Sequence, residues 1–265
     1  MPTLCAVLIT RDEEANLPAC LETLRWADEI VVLDSGSTDA TREVAARLGA
    51  RVETRAFDDF ASQKNAAVAL ATKEWVFVVD ADERVSPALA DEIRRRISSD
   101  EAAGFRVPRA TWIFGARARF GGNQSDAPVR LWRRGAARFH GAVHEEARVE
   151  GAVGMLRVPM EHHTIATLEK YQAKLDRYTD FEAKEIAERG PVRLWRLAVG
   201  PLARFLRTYI LQLGFLDGRV GLLWALCSAY YYFLKHAKAW EIRARDGAGT
   251  SWYALPPGTV LGGRR

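Results

Sequence analysis

The chain has 265 residues, 48% hydrophobic and 27% charged, a composition that supports a packed core and argues against wholesale disorder. Three cysteines (Cys5, Cys20, Cys227) with no C-x-x-C pair argue against a disulfide framework or a cysteine zinc site and point to a reducing compartment. The net charge of +4 is unevenly spread: residues 1–190 carry 27 Lys+Arg against 31 Asp+Glu, and residues 191–265 carry 11 against 3. A basic, aromatic-rich tail of this kind suits an anionic partner, membrane or nucleic acid, or is simply a solvated arginine face.

The first hundred residues alternate strand and helix signals. Residues 4–9 form an apolar run, too short for a signal segment or a span, that reads as a first strand. Residues 16–26 place Leu17, Cys20, Leu21 and Leu24 at helical spacing. A second strand is expected at 30–33, a helix at 39–48 stopped by Gly49, and a short strand around Val52. An alanine-rich helix at 60–71 leads to a strongly apolar strand at 75–79. Ser86 as N-cap and Pro87 in the first turn open a helix to about Ile97. This order implies an α/β fold: a mostly parallel sheet with helices on both faces, in outline a doubly wound nucleotide-binding arrangement.

Beyond residue 100 the pattern changes. Short β-like pieces at 104–108, 129–133 and 155–160, separated by glycine turns, read as the far part of the sheet with long loops around a site. Residues 164–189 form an amphipathic helix through Leu168, Tyr171, Leu175, Tyr178 and Phe181, ended by Gly190-Pro191. Residues 193–213 follow, with an apolar stripe beside Arg193, Arg196, Arg204 and Arg207. After a turn at 214–218, residues 220–234 are almost wholly apolar, yet shorter than the roughly 20 residues that cross a bilayer. The expected division is a catalytic unit at 1–160, a helical extension at 161–250 and a tail at 251–265.

The chemistry gathers at strand ends. Asp80-Ala81-Asp82 leaves the carboxyl end of a buried strand, where such sheets bind ligands and where paired acids suit a divalent cation bridging phosphate oxygens. Asp34 in Asp34-Ser35-Gly36-Ser37-Thr38-Asp39 ends the second strand; it can accept from a nucleobase or ribose, and Ser37 or Asp39 can cap the next helix. The first strand ends in Thr10-Arg11-Asp12-Glu13-Glu14, where acids also favour a helix N-terminus. Lys64 offers a point charge for a pyrophosphate, or is a surface lysine.

Together the three strand ends resemble glycosyltransferase family 2, with its N-E-E, D-D-G-S-T-D and D-x-D elements and GT-A fold. Ser35 stands where the family has its second aspartate, and Gln63-Lys64-Asn65 matches the family's basic-Asn element. Arg130-Leu131-Trp132-Arg133 and Phe139-His140-Gly141-Ala142-Val143-His144-Glu145 resemble the acceptor-side segment of bacterial lipopolysaccharide core β-1,4-glucosyltransferases. The resemblance implies that Thr10, Arg11, Glu13, Asp34, Lys64, Asp80 and Ala81 bind a UDP-sugar and that Asp82 ligates Mg²⁺ or Mn²⁺. It makes Glu145 the base of an inverting hexosyl transfer to a lipid-linked saccharide, at the cytoplasmic face of a bacterial membrane. His144 is a further metal ligand or a packed strand histidine. Glu146 is the neighbouring acid that could serve instead, although strand alternation would send it to the other face. His162-His163 read as structural. Arginines beside apolar faces in the tail suit an anionic membrane surface.

Two other classes compete with this reading. A phosphohydrolase using D-x-D would carry that motif on its first strand, with Thr or Val where Arg84 stands. A non-catalytic binder of nucleotide sugar, lipid or nucleic acid would not need Asp80, Asp82 and Glu145 together, and no nucleic-acid-binding motif supports the last of these.

Overall fold

The N-terminal apolar run forms β1 (Leu4–Thr10), and its side chains sort by parity. Leu4, Ala6 and Leu8 join one core cluster and Cys5 and Val7 another, as the two-residue period of a strand requires. The structure, a computed structural model, describes residues 1–99, 101–123, 126–141, 145–165 and 167–245. After β1 come α1 (Leu17–Glu22), β2 (Glu29–Asp34), α2 (Thr41–Arg47), β3 (Arg51–Thr54), α3 (Phe60–Ala69), β4 (Trp75–Val78), β5 (Glu83–Arg84) and α4 (Pro87–Ile97). The middle of the chain is β6 (Gly104–Arg106), β7 (Arg109–Ile113), β8 (Ala116–Ala118), β9 (Val129–Arg133), β10 (Ala137–His140), β11 (Glu146–Val149), β12 (Val153–Met155) and β13 (Met160–Ile165). The chain then turns helical with α5 (Leu168–Glu188), α6 (Leu194–Leu206) and α7 (Gly218–Arg245).

Among the described residues seven strands form the main sheet, in the order β12-β6-β9-β4-β1-β2-β3. Strand β9 runs antiparallel to its neighbours β4 and β6, and the other pairs of this sheet are parallel among the described residues. Parallel pairing of β1 with β2 sets Thr10 opposite Asp34, and pairing of β1 with β4 sets Val7 opposite Val78. The polar ends of the three strands therefore come level on one edge. Trp75, Phe77 and Val79 pack with Leu17, Leu21, Leu89 and Ile93 on one face; Val76 and Val78 pack with Ala61, Ala67 and Trp132 on the other. Helix α4 starts as the sequence predicts, with the Ser86 hydroxyl accepting from Leu89 N–H and Pro87 in the first turn. A smaller sheet, β5-β13-β7-β8, stands beside the main one, and β10 pairs with β11.

Two elements depart from the sequence reading. Residues 164–165 are strand, not helix: Met160–Ile165 pairs parallel with β7 and antiparallel with β5, so the helix begins at Leu168. Helix α7 is 28 residues long. It runs past Lys235 and Lys238 because those cations meet Glu182 at 2.6 Å and Asp180 at 2.7 Å on α5. Between α6 and α7 the chain makes a π-helical turn, Arg207–Leu211, and a 3-10 turn, Gly214–Asp217. This elbow is tight: a Cβ on Gly221 would lie 1.7 Å from the Gly214 carbonyl oxygen. Among the described residues no single helix is long and apolar enough to cross a membrane; Leu194–Leu211 with Gly214–Arg245 passes only as a pair bent by 71°.

Candidate active site

A cleft of about 820 Å³ opens at the carboxyl edge of the central strands. Thr10, Arg11, Glu13, Lys64, Asp80, Ala81, Asp82 and Glu145 all border it. Asp34 does not. Its carboxylate is fully buried, accepting from Gly36 N–H at 3.0 Å, Ser37 N–H at 2.8 Å and the Thr10 hydroxyl at 3.2 Å, and from the Ser37 hydroxyl. It thereby folds the loop that presents Ser35 to the cleft. The neighbouring acids lace the two loops together: Asp12 Oδ1 accepts from Thr38 N–H, Glu14 Oε2 from Ala40 N–H, and Asp39 Oδ2 from Glu14 N–H.

Helix α3 serves three partners with three consecutive side chains, because successive helical residues point about 100° apart. Gln63 donates to Ser35 Oγ at 3.0 Å. Asn65 clamps β10, donating to the Phe139 carbonyl and accepting from its N–H, each at 2.9 Å. Lys64, only 5% exposed, lies 2.7 Å from Glu145 Oε1 and 3.2 Å from Asp80 Oδ1. Residues 81 and 16 positions away in sequence thus meet at one ammonium. Glu146, expected on the other face, borders the cleft as well, because Glu145 precedes β11 and strand alternation does not separate the two. His144 lies outside the described residues.

Behind Asp80 stands a buried ion network that the sequence does not announce. Arg130 reaches Asp80 Oδ2 at 2.5 Å and Glu83 Oε1 at 3.3 Å. Arg109 lies 3.5 Å from Glu83 and pairs with both oxygens of Asp126 at 2.8 Å. Burial alone would raise the Asp80 carboxyl, but Arg130 and then Lys64 hold it well below the usual carboxylate range. Burial pushes the Glu83 carboxyl up, against the pull of Arg130.

His162, read from sequence as structural, faces Asp82. Strand pairing sets it opposite Glu83, His163 N–H donates to the Asp82 carbonyl at 2.8 Å, and His162 Nε2 stands 3.5 Å from Asp82 Oδ2. His163 instead stacks on Trp112. Tyr178, on α5, borders the cleft and stacks on Phe60. The sequence signal for His162 is weak, since M-E-H-H-T-I has no apolar alternation and becomes a strand only through its two partners.

The lining fits a divalent cation. Among the described residues it carries seven carboxylates against five Lys and Arg side chains, so a diphosphate needs added positive charge to enter. The ring nitrogen that faces Asp82 is His162 Nε2, 3.5 Å from Asp82 Oδ2, and a carboxylate with an imidazole is a donor set for Mn²⁺ or Mg²⁺. Among the described residues no three His, Cys, Asp or Glu side chains are grouped to hold an ion by themselves. The remaining ligands must come from substrate, solvent or residues outside that set.

A mostly parallel sheet with acids at its strand ends, and a lysine from α3 turned into the same cleft, has the arrangement of a nucleotide-binding fold. Comparison with known proteins gives the family: the model described as "Glycosyl transferase family 2" matches residues 5–134. The lipopolysaccharide core biosynthesis glycosyltransferase LpsC of Rhizobium meliloti (strain 1021) is 32% identical over 91% of this chain and 93% of its own length. The uncharacterized glycosyltransferase RT0209 of Rickettsia typhi is 25% identical over 93% of this chain and 89% of its own. The chain belongs to glycosyltransferase family 2, and it is a glycosyltransferase. The crystal structure of S. aureus TarS 1–349 in complex with UDP-GlcNAc aligns with a TM-score of 0.50 at 13% identity over 92% of each chain, a likeness of fold. The architecture is GT-A, with a C-terminal helical part.

Proposed function

We propose that the protein moves a hexose, glucose by preference, from a UDP-sugar to a hydroxyl of a lipid-linked saccharide such as the lipopolysaccharide inner core, with inversion. The supporting observation is the meeting of Lys64, Asp80 and Glu145 in one cleft beside Asp82 and His162. The similarity to LpsC, named for lipopolysaccharide core biosynthesis, supports the acceptor class. The site of action is the cytoplasmic face of a bacterial membrane, where the protein sits peripherally.

Asp82 and His162 would hold Mg²⁺ or Mn²⁺, which when bound supplies positive charge for the departing diphosphate. Lys64 and Arg11 border the same space and add fixed positive charge. Thr10, Glu13, Ser35 and Ala81 shape the wall that receives the nucleotide. Glu145, fixed by Lys64 at 2.7 Å, takes the proton of the acceptor hydroxyl. That oxygen forms its bond to the anomeric carbon as the bond to the diphosphate breaks, and the electron pair leaves with UDP. Attack on the face opposite an α-linked diphosphate yields a β-glycoside.

The test is a thermal-shift panel of nucleotide sugars with and without Mn²⁺, followed by UDP release with the best donor and a heptose-containing acceptor. A ligand that favours the folded form raises its melting temperature. UDP-glucose should stabilise only with the metal, and acceptor should speed UDP release. Stabilisation by no UDP-sugar refutes the donor assignment.

A further inference from the structure

Helix α6 and the π-helical turn that follows it wear an apolar stripe on the outside. Trp195, Val199, Leu202, Leu206 and Ile210 recur at steps of three or four, which is one helical face, and each is 46–58% exposed. Leu222, Leu226, Tyr230 and Phe233 make a second exposed row on α7. At the elbow between the helices, Leu211 is 77% exposed and Leu213, Phe215 and Leu216 are 42–55% exposed. Of nineteen large apolar side chains exposed among the described residues, fifteen lie from Leu194 to Phe233. Scattered exposed leucines are ordinary, whereas a concentration like this marks an interaction surface.

We infer that α6, the elbow and the outer row of α7 form a monotopic insertion surface for an anionic lipid bilayer, dipping into one leaflet rather than spanning. The inference deepens the lipid-linked acceptor reading, on which its purpose rests. The 71° bend favours a dip over a span. Charge selects the occupant. Arg193, Arg196, Arg204, Arg207 and Arg219 are exposed around the apolar rows, and residues 190–216 contain no Asp or Glu. A symmetric second copy would bring these arginines against their own counterparts, while anionic headgroups neutralise them.

The elbow is also bolted to the catalytic unit. Asp217 Oδ2 accepts from Arg119 N–H at 2.8 Å and Phe120 N–H at 2.7 Å. Trp224 Nε1 donates to the Gly121 carbonyl at 3.1 Å, and Gly121 N–H donates to the Gln212 carbonyl at 2.9 Å. A few residues further on, Asp126 and Ala127 border the cleft. Insertion of the elbow therefore fixes the height and tilt of the cleft above the lipid surface.

The experiment uses the full chain with Leu211→Cys carrying an environment-sensitive fluorophore, since the native cysteines are buried. Phosphatidylcholine vesicles with phosphatidylglycerol should blue-shift the label and co-sediment the protein; vesicles without it should do so far less. Arg196→Gln and Arg204→Gln should each weaken binding about fivefold. Leu211→Glu with Leu216→Glu should abolish it, yet keep the Mn²⁺·UDP thermal shift. An unshifted label and no co-sedimentation on anionic vesicles overturn the inference. So does a dimer that ignores vesicles and falls apart in the glutamate variant. Loss of the UDP shift in the unsubstituted protein would instead count against the donor site and leave the vesicle result to stand alone.

Discussion

Replacing Arg130 by methionine removes the cation between two acids and keeps much of the side-chain volume. The guanidinium is 5% exposed and sits 2.5 Å from Asp80 and 3.3 Å from Glu83, which is 0% exposed. Charges about 4 Å apart attract by roughly 4 kcal/mol at an effective dielectric near 20, and removing one partner of a buried pair costs about 3–5 kcal/mol. Two facts soften the loss: Asp80 keeps Lys64 at 3.2 Å and 30% exposure, and Glu83 keeps Arg109 at 3.5 Å. The expected cost is therefore about 2–3 kcal/mol at neutral pH, read as a lower urea midpoint with an unchanged slope. The pH dependence has a definite sign. Burial would raise Asp80, but Arg130 and then Lys64 depress it. A depressed carboxylate gives stability that is present above its unfolded value of about 3.9 and lost as pH falls through the folded value. The gap between Arg130→Met and wild type should thus be full at neutral pH and narrow below about pH 4. Equal midpoints at neutral pH, or a gap unaffected by acid, would refute the assignment of Arg130 as the counter-ion of Asp80.

Three further substitutions test other parts of the molecule. Asp82→Asn should abolish Mn²⁺-dependent transfer with the fold intact by circular dichroism, and His162→Ala should weaken Mn²⁺-dependent UDP binding by about tenfold or more in calorimetric titration. Glu145→Gln should lower kcat by about 10²–10⁴ while UDP affinity measured directly is retained; loss of UDP binding as well would make Glu145 a structural partner of Lys64. Gly221→Ala, whose Cβ would meet the Gly214 backbone, should cost about 1–3 kcal/mol in chemical unfolding, and an unchanged midpoint would show that the elbow is loose.

The main sheet was readable because its signals are local. Parity along β1 and β4, the Ser86-Pro87 helix start and the polar strand ends all lie within a few residues of each other, and the ladders then set those ends level. Strand β13 was not readable, since its polar residues become strand only against β7 and β5. The place of His162 opposite Glu83 and beside Asp82 was hidden for the same reason. Arg130 stood out in sequence only as part of R-L-W-R; its partners Asp80 and Glu83 lie 50 and 47 residues away. The reach of α7 to Arg245 was hidden because its charged end depends on α5 acids. Asp34 shows the opposite difficulty: its motif is plain, yet all four hydrogen bonds to its carboxylate serve its own loop and Thr10.

A crystal structure with Mn²⁺ and UDP-glucose bears most directly on the central claim. The cation should lie against Asp82 and His162 with the diphosphate beside it and Lys64 within reach, and the glucose should extend toward Glu145. A nucleotide lodged away from these side chains, or a cation held elsewhere, would contradict the assignment of this cleft as the site of transfer.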